Sequence, residues 1–501
     1  MKRLKTAALI SIVGFANHAY ATDNCVRVVG AEWNPETITS DPSNQINVPN
    51  MQLARMIYDP FIDLDADLRP IPALAESWTS NADGTEWIFN VRQGVKFHDG
   101  SALTAADVVF TYRRLLDPTL KSPAAANLAT LRPENFEATD EKTLKVRLNS
   151  PQFELPIILA TNFAMVIKAD STSDKIHSTP NGTGPFTMPN FASGSSKYKL
   201  AKNYAYWKGG LPLSDCIELS AITESVTRMV SLVSGDADVA TIVDPTTAET
   251  MREDPKIALS VSKSGTAITM GMFTDSPPFD DLRVRKALKL VIDRDEMVKT
   301  ALLGFGFSGN DNPIPPTSPD SYRTTIIPRD ITKAKSLLAD AGYRDGITVD
   351  LHIADAYPGT MAMGQIYQQM ASEAGVKINL VVVPASEYWD NIWLSKPFSV
   401  SNWGARPTAS ALSVAYRKDS KWNETHWFRD DYEALLDKAA ATADADERKQ
   451  VYREAQELLS NEGGVIIPIF STAISAQRVG CIGYDTPSDH NRPDFSKIVC
   501  N

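Results

Sequence analysis

Residues 347–383 constrain the fold more than any other stretch. Residues 347–354 read as a strand, 361–374 as an amphipathic helix and 377–383 as a second strand. A strand, helix and strand in that order form a β-α-β unit, which demands a parallel pair and a right-handed crossover. The rest of the chain has to accommodate that unit. Residues 26–31 read as a strand, and "MQLARMIYDPFIDLD" opens as a helix that stops at Pro60. Trp87, Phe89 and Val91 alternate with Glu86, Ile88, Asn90 and Arg92 after the turn signal Ala82-Asp83-Gly84. Leu144, Val146 and Leu148 alternate with Thr143, Lys145 and Arg147, so both runs are half-buried strands. Between them, Thr104-x-x-Asp107 predicts a capping box, and Val109, Tyr112 and Leu116 the buried face of the helix that follows. Gly182-Thr183-Gly184-Pro185 breaks the chain before a second β-rich region. Residues 225–234 read as helix, "TAITMGMF" as strand, "DYEALLDKAAATADADERKQVYREAQELLSNEG" as a helical pair and "VIIPIFST" as a buried strand. The class is mixed α/β.

The chain opens "MKRLKTAALISIVGFANHAYATDNC". Basic Lys2, Arg3 and Lys5, a short apolar run and Ala19-Tyr20-Ala21 predict a secretory leader over residues 1–21, cut after Ala21. The apolar run is too short to span a bilayer. Polar Thr22, Asp23 and Asn24 before Cys25 argue against a lipid anchor, so the expectation is a soluble exported protein with no direct membrane anchor. The net charge is −11, and cutting the leader removes only basic residues. That balance argues against nucleic acid, which needs clustered positive charge. A mature chain of about 480 residues exceeds what one core supports, so at least two domains are expected.

Cys25, Cys216, Cys481 and Cys500 form no C-x-x-C pair, which disfavours zinc. Export and an even count favour two disulfides. Cys25 and Cys216 each open a β-rich run, and Cys481 and Cys500 close a short terminal loop. The preferred pairing is Cys25–Cys216 with Cys481–Cys500; the other two connectivities stay open.

Four ordered segments carry a family resemblance. "WIFNVRQGVKFHDGSALTAADVVFTYRRLLDP" resembles the signature of the bacterial extracellular solute-binding proteins of family 5, the large peptide/nickel-type receptors of ABC importers. It departs from that pattern mainly at Val91. "NGTGPF", "PPFDDLRVRKALKLVIDRDEMV" and "ITKAKSLLADAGY" resemble three further family segments in family order, over residues 53–343. The resemblance implies a two-lobed periplasmic binding protein fold with an extra inserted subdomain in the first lobe. Lobe I would comprise residues 22–48, 184–264 and 476–501, with 49–183 inserted, and lobe II residues 265–475. Hinge strands would lie near 267–274 and 467–473. Implied partners are a small-molecule or peptide ligand and the transmembrane subunits of the importer. The expected protein is a monomer with no cofactor, no resident metal and no catalytic residues.

Several local patterns have simpler readings. Gly304–Gly309 fits G-x-G-x-x-G but follows a predicted helix, whereas the dinucleotide fingerprint follows a strand and opens a helix; the glycines are expected to shape a loop. His98-Asp99 is expected to form a hairpin turn with Gly100. No H-E-x-x-H or G-x-S-x-G occurs. Five of the nine tryptophans (Trp389, Trp393, Trp403, Trp422 and Trp427) crowd one region. They either pack a core or line an apolar, aromatic ligand site.

"SNWGARP" places Arg406 three residues after Trp403. In the peptide-binding branch of the family, the similar segment reads W-x-x-D, and its acid meets the ligand's α-ammonium. Here the charge is inverted. Arg406 either presents its planar fork to a ligand carboxylate or phosphate, or pairs with a nearby acid and ties loops together. The candidate ligand-binding set is Trp403, Arg406, Asn402, Trp389 and Trp393. Trp33 and Asn34 join it because they follow the first strand, where open α/β sheets place ligands. Asn310-Asp311-Asn312 is a further polar loop, equally readable as a turn. The leading expectation is capture of a short peptide, an opine or another amino-acid derivative, anionic ligands included. The alternatives are a nickel or metal-chelate receptor of the same family and, from a different class, a secreted hydrolase.

Overall fold

The computed structural model describes residues 24–30, 38–45, 48–487 and 492–501. The expected leader, Trp33 and Asn34 lie outside these residues. Two long antiparallel strands, Ile257–Met272 and Val465–Arg478, form the centre of an eleven-stranded sheet. On one side Ile257–Met272 pairs with Phe398–Trp403, which leads to Ile347–Ile353 and Val376–Val382. The last two are the expected parallel pair, bridged by helix Thr360–Ser372. On the other side Val465–Arg478 pairs with Val239–Ala240, followed by Cys25–Gly30, Cys216–Ala221, Lys197–Lys202 and Phe186–Thr187. The ladder between the long strands slips between Val261 and Gly265. Gly265 is needed there, because a Cβ would sit 2.5 Å from the Ser471 carbonyl oxygen.

A separate antiparallel sheet orders Ala75–Ser80, Glu86–Val91, Thr143–Arg147 and Phe136–Asp140. Its apolar face buries Phe89, Phe136 and Leu144 against helix Ala105–Leu115. The Asp107 carboxylate accepts from the Thr104 N–H at 2.8 Å and hydroxyl at 2.9 Å, closing the predicted cap. Leu115, rather than Leu116, is the last fully buried residue of this face.

The sequence motifs turn out to be braces. The His98 N–H donates to the Gly182 carbonyl at 2.8 Å, which ties the F-H-D-G turn to G-T-G-P-F. A Cβ on Gly182 would collide with the Ile57 carbonyl. Beside them the buried Asp59 carboxylate accepts from Thr183, Tyr206 and Trp207. Helix Leu282–Leu290 sends Arg285 to the Glu462 carbonyl at 2.7 Å, and Lys289 to the Ser460 and Gly463 carbonyls at 2.8 and 3.0 Å. Both cations therefore cap the C-terminus of helix Ala445–Glu462, where the helix dipole favours positive charge. Burial pushes the Lys289 ammonium down to about 8.

One loop expectation and one cleft candidate need correction. Gly306–Ser308 is a short strand paired with Val465–Arg478, and side chains at Gly306 or Gly309 would strike the Phe470 or Ile467 carbonyls. Asn310, Asp311 and Asn312 are fully buried and form no cleft surface. Asp311 pairs with the equally buried Arg294 at 2.6 Å and accepts the Ile467 N–H at 3.0 Å.

Cys25 is bonded to Cys216 between adjacent parallel strands, and Cys481 to Cys500 across a two-residue ribbon. Among the described residues, Asp238, Cys481 and Cys500 have metal-ligand spacing. Both sulfurs are spent in the disulfide, and the carboxylate is held by Arg27 and Arg478. No helix among the described residues is long and apolar enough to cross a membrane.

Candidate functional site

A cavity of about 820 Å³ lies where the four-stranded subdomain faces the half of the molecule that carries the β-α-β unit. That volume falls in the range of small-molecule sites. The long strands supply its floor through Gly265, Ala267 and Phe470. One wall carries Arg69, Trp78, Trp87 and Phe153; the other carries Trp403, Arg406, Tyr416 and Tyr452. Both walls are aromatic, with charged groups set among the rings.

Strand Phe398–Trp403 positions the second wall. Trp403 ends it, opposite Ala267, and "GARP" then turns the chain across the cavity mouth. The Arg406 guanidinium lies 5.3 Å from the centroid of the Trp403 ring, a cation–π arrangement. Asn402 lies outside the lining: successive strand side chains point to opposite faces, so its neighbour Trp403 takes the cavity side.

Trp393 and Trp389 also lie outside the lining and recede behind Trp403. Neighbouring rings are 5.9 Å apart between Trp403 and Trp393, and 5.5 Å apart between Trp393 and Trp389. Trp389 ends this row at the surface, 42% exposed. Trp422 leans on Trp403 from another side at 6.1 Å, and Trp427 packs in a core against Tyr432.

Under this row lies Glu424, 1% exposed. Its carboxylate accepts from Trp403 Nε1 at 3.1 Å, Trp393 Nε1 at 3.2 Å, Thr269 Oγ1 at 3.1 Å and the Ser401 hydroxyl. Burial raises its proton affinity above the ordinary carboxylate range, and the four donors oppose that rise.

A second buried carboxylate joins the walls. Glu154, on the subdomain side, accepts from the Tyr452 hydroxyl, and Arg448 Nε stands 3.8 Å away. Burial raises this carboxyl too. The Phe153 N–H donates to the Ala440 carbonyl at 2.9 Å alongside. Phe153 fits against Gly84, where a Cβ would meet its ring at 2.9 Å.

Sequence reasoning placed Trp403 and Arg406 together and missed Arg69, Trp78, Trp87, Phe153, Glu154, Arg448 and Tyr452. The alternation around Trp87 showed a half-buried strand, which was the available signal, but nothing local showed what its exposed edge would face.

Residues 69–424 match the family model for bacterial extracellular solute-binding proteins, family 5 Middle. A relative named heme-binding protein A, from Haemophilus influenzae, is 28% identical over 432 residues, 78% of this chain and 77% of its own length. The glutathione-binding protein GsiB of Pectobacterium atrosepticum is 26% identical over 503 residues, 96% of this chain and 95% of its own. Among solved structures, the binding protein AgaA of A. tumefaciens R10, in complex with agropinic acid, superposes with a TM-score of 0.76 at 25% identity. That match covers 95% of this chain and 98% of AgaA.

Proposed function

The chain belongs to the bacterial extracellular solute-binding proteins, family 5, the substrate-binding components of ABC importers, and on that premise we propose that it captures a short peptide, an opine or another amino-acid derivative bearing an anionic group. The observation that carries this reading is Arg406, set on the face of Trp403 at the wall of a cavity between two aromatic surfaces. A guanidinium is a planar fork suited to bidentate recognition of a carboxylate or phosphate. The agropinic acid complex of AgaA and the glutathione-binding relative support the same ligand class.

In this reading the lobes are residues 22–48, 184–264 and 476–501 on one side, with 49–183 inserted, and 265–475 on the other. The sheet order supports that division, since among the described residues the long strands Ile257–Met272 and Val465–Arg478 run through both halves. Closure around the ligand makes and breaks no covalent bond. The closed form, a periplasmic monomer, is what the importer's transmembrane subunits engage.

A thermal-shift panel tests the assignment: peptides with free or blocked ends, opines, sugar phosphates and nickel chelates. A ligand at 100 times its Kd adds about 2.7 kcal/mol of stability. Shifts should require an anionic group and vanish in Arg406→Ala. Peptides with free amino ends that shift both proteins equally would overturn the assignment and make Arg406 structural.

A further inference from the structure

We propose that Glu424 is a positioning residue for the ligand wall, holding the Trp403 indole in the one plane that presents its face to Arg406 and the cavity. This rests on Trp403 and Arg406 forming that wall, as proposed above. A buried carboxylate loses much of its hydration, so it has to be held by hydrogen-bond donors or by an opposite charge. Among the described residues, no lysine or arginine forms a salt bridge with Glu424. Its carboxylate instead accepts from two indoles and two hydroxyls.

The arrangement is specific to the aromatic wall. Each carboxylate oxygen takes one indole N–H, Oε1 from Trp403 and Oε2 from Trp393. An indole has a single donor, so fixing that donor fixes the ring's rotation. The Ser401 and Thr269 hydroxyls orient the carboxylate itself, and they are 2.7 Å from each other on paired strands. The Glu424 backbone is also held close: a Cβ on Gly271 would lie 2.6 Å from its carbonyl oxygen. The carboxylate thus meets Trp403 at its N–H edge, while the guanidinium occupies the ring face at 5.3 Å. Negative charge at the donor edge enriches the ring in electron density, which strengthens its attraction for a cation on the face.

Glu424→Gln tests this. The amide keeps the shape but replaces one acceptor with a donor, so one indole N–H loses its partner. The full-length mature chain, labelled with 15N in the tryptophan indoles, is titrated with reduced glutathione as the probe. Two indole resonances should move in Glu424→Gln, and glutathione affinity should fall at least tenfold with little change in Tm. Trp403→Phe, which keeps a ring but has no donor, should weaken glutathione comparably and serves if the glutamine variant does not fold. Moved indole resonances with unchanged glutathione affinity would overturn the proposal, as would resonances that do not move. If the wild type does not bind glutathione, the ligand class proposed above loses a member, and a second readout decides the positioning role. Arg406→Ala should shift the Trp403 resonance in the wild type and leave it still in Glu424→Gln; a shift of equal size in both backgrounds would overturn the inference.

Discussion

Replacing Tyr452 with phenylalanine removes one hydroxyl and keeps the ring that packs beside Leu412 and Leu459. That hydroxyl is the donor to Glu154, whose carboxylate is 7% exposed. Tyr452 and Glu154 sit on opposite walls of the cavity, so the lost bond joins the two walls and, under the proposed closure, counts toward the closed arrangement. Leaving a buried acceptor unsatisfied costs about 1–3 kcal/mol. Spent on an open–closed equilibrium, that is a drop of about 5- to 150-fold in the closing constant. Apparent affinity falls with the population of the competent form. Small-angle scattering of the ligand-free protein provides the assay: Tyr452→Phe should expand the radius of gyration relative to wild type, with the urea midpoint nearly unchanged. An unchanged envelope with a lowered urea midpoint would refute the reasoning, because the contact would then be a permanent interface.

Three further outcomes follow from the same structure. Burial raises the Glu154 carboxyl where the two walls meet, so under the proposed closure a proton is taken up. The closed population should therefore be highest below the open-state carboxyl value of about 4.3 and fall as pH rises through the elevated value, read as scattering against pH. Arg294→Met should cost about 3–5 kcal/mol in urea unfolding by stranding buried Asp311, and adding Asp311→Asn should recover most of it while still accepting the Ile467 N–H. On the chain-entropy estimate, losing Cys25–Cys216, which spans 191 residues, should destabilise by about 2 kcal/mol more than losing Cys481–Cys500, which spans 19. Serine pairs at each bridge measure that difference.

What was legible in the sequence was local. The β-α-β unit, the Thr104–Asp107 cap and the alternation around Trp87 each repeat within a few residues, and each is present. Features set by distant partners were not legible. Asn310-Asp311-Asn312 has the composition of a turn, and partners distant in sequence explain its burial: Arg294 and the Ile467 N–H hold Asp311, and the Ile327 N–H and the Ser460 hydroxyl hold Asn310. The middle of G-x-G-x-x-G, Gly306–Ser308, pairs as a strand with Val465–Arg478, which passes too close for side chains at Gly306 and Gly309. The candidate site divides in the same way. Trp403 and Arg406 share one short segment and were found together, whereas Arg69, Glu154 and Tyr452 meet them only once the chain has folded. The crowding of tryptophans was real, but most of that row holds one ring in place and does not touch the cavity.

The position of Val465–Arg478 also bears on how the chain reaches this state. It pairs with Val239–Ala240 on one side and runs the length of Ile257–Met272 on the other. Neither half of the large sheet is complete until these residues, near the end of the chain, are available. Assembly that depends on such distant pairings is slow, because loop-closure entropy is lost before the contacts return it. During synthesis the early strands must wait with unpaired edges. A chain folding in this order is exposed to aggregation until Val465–Arg478 is in place.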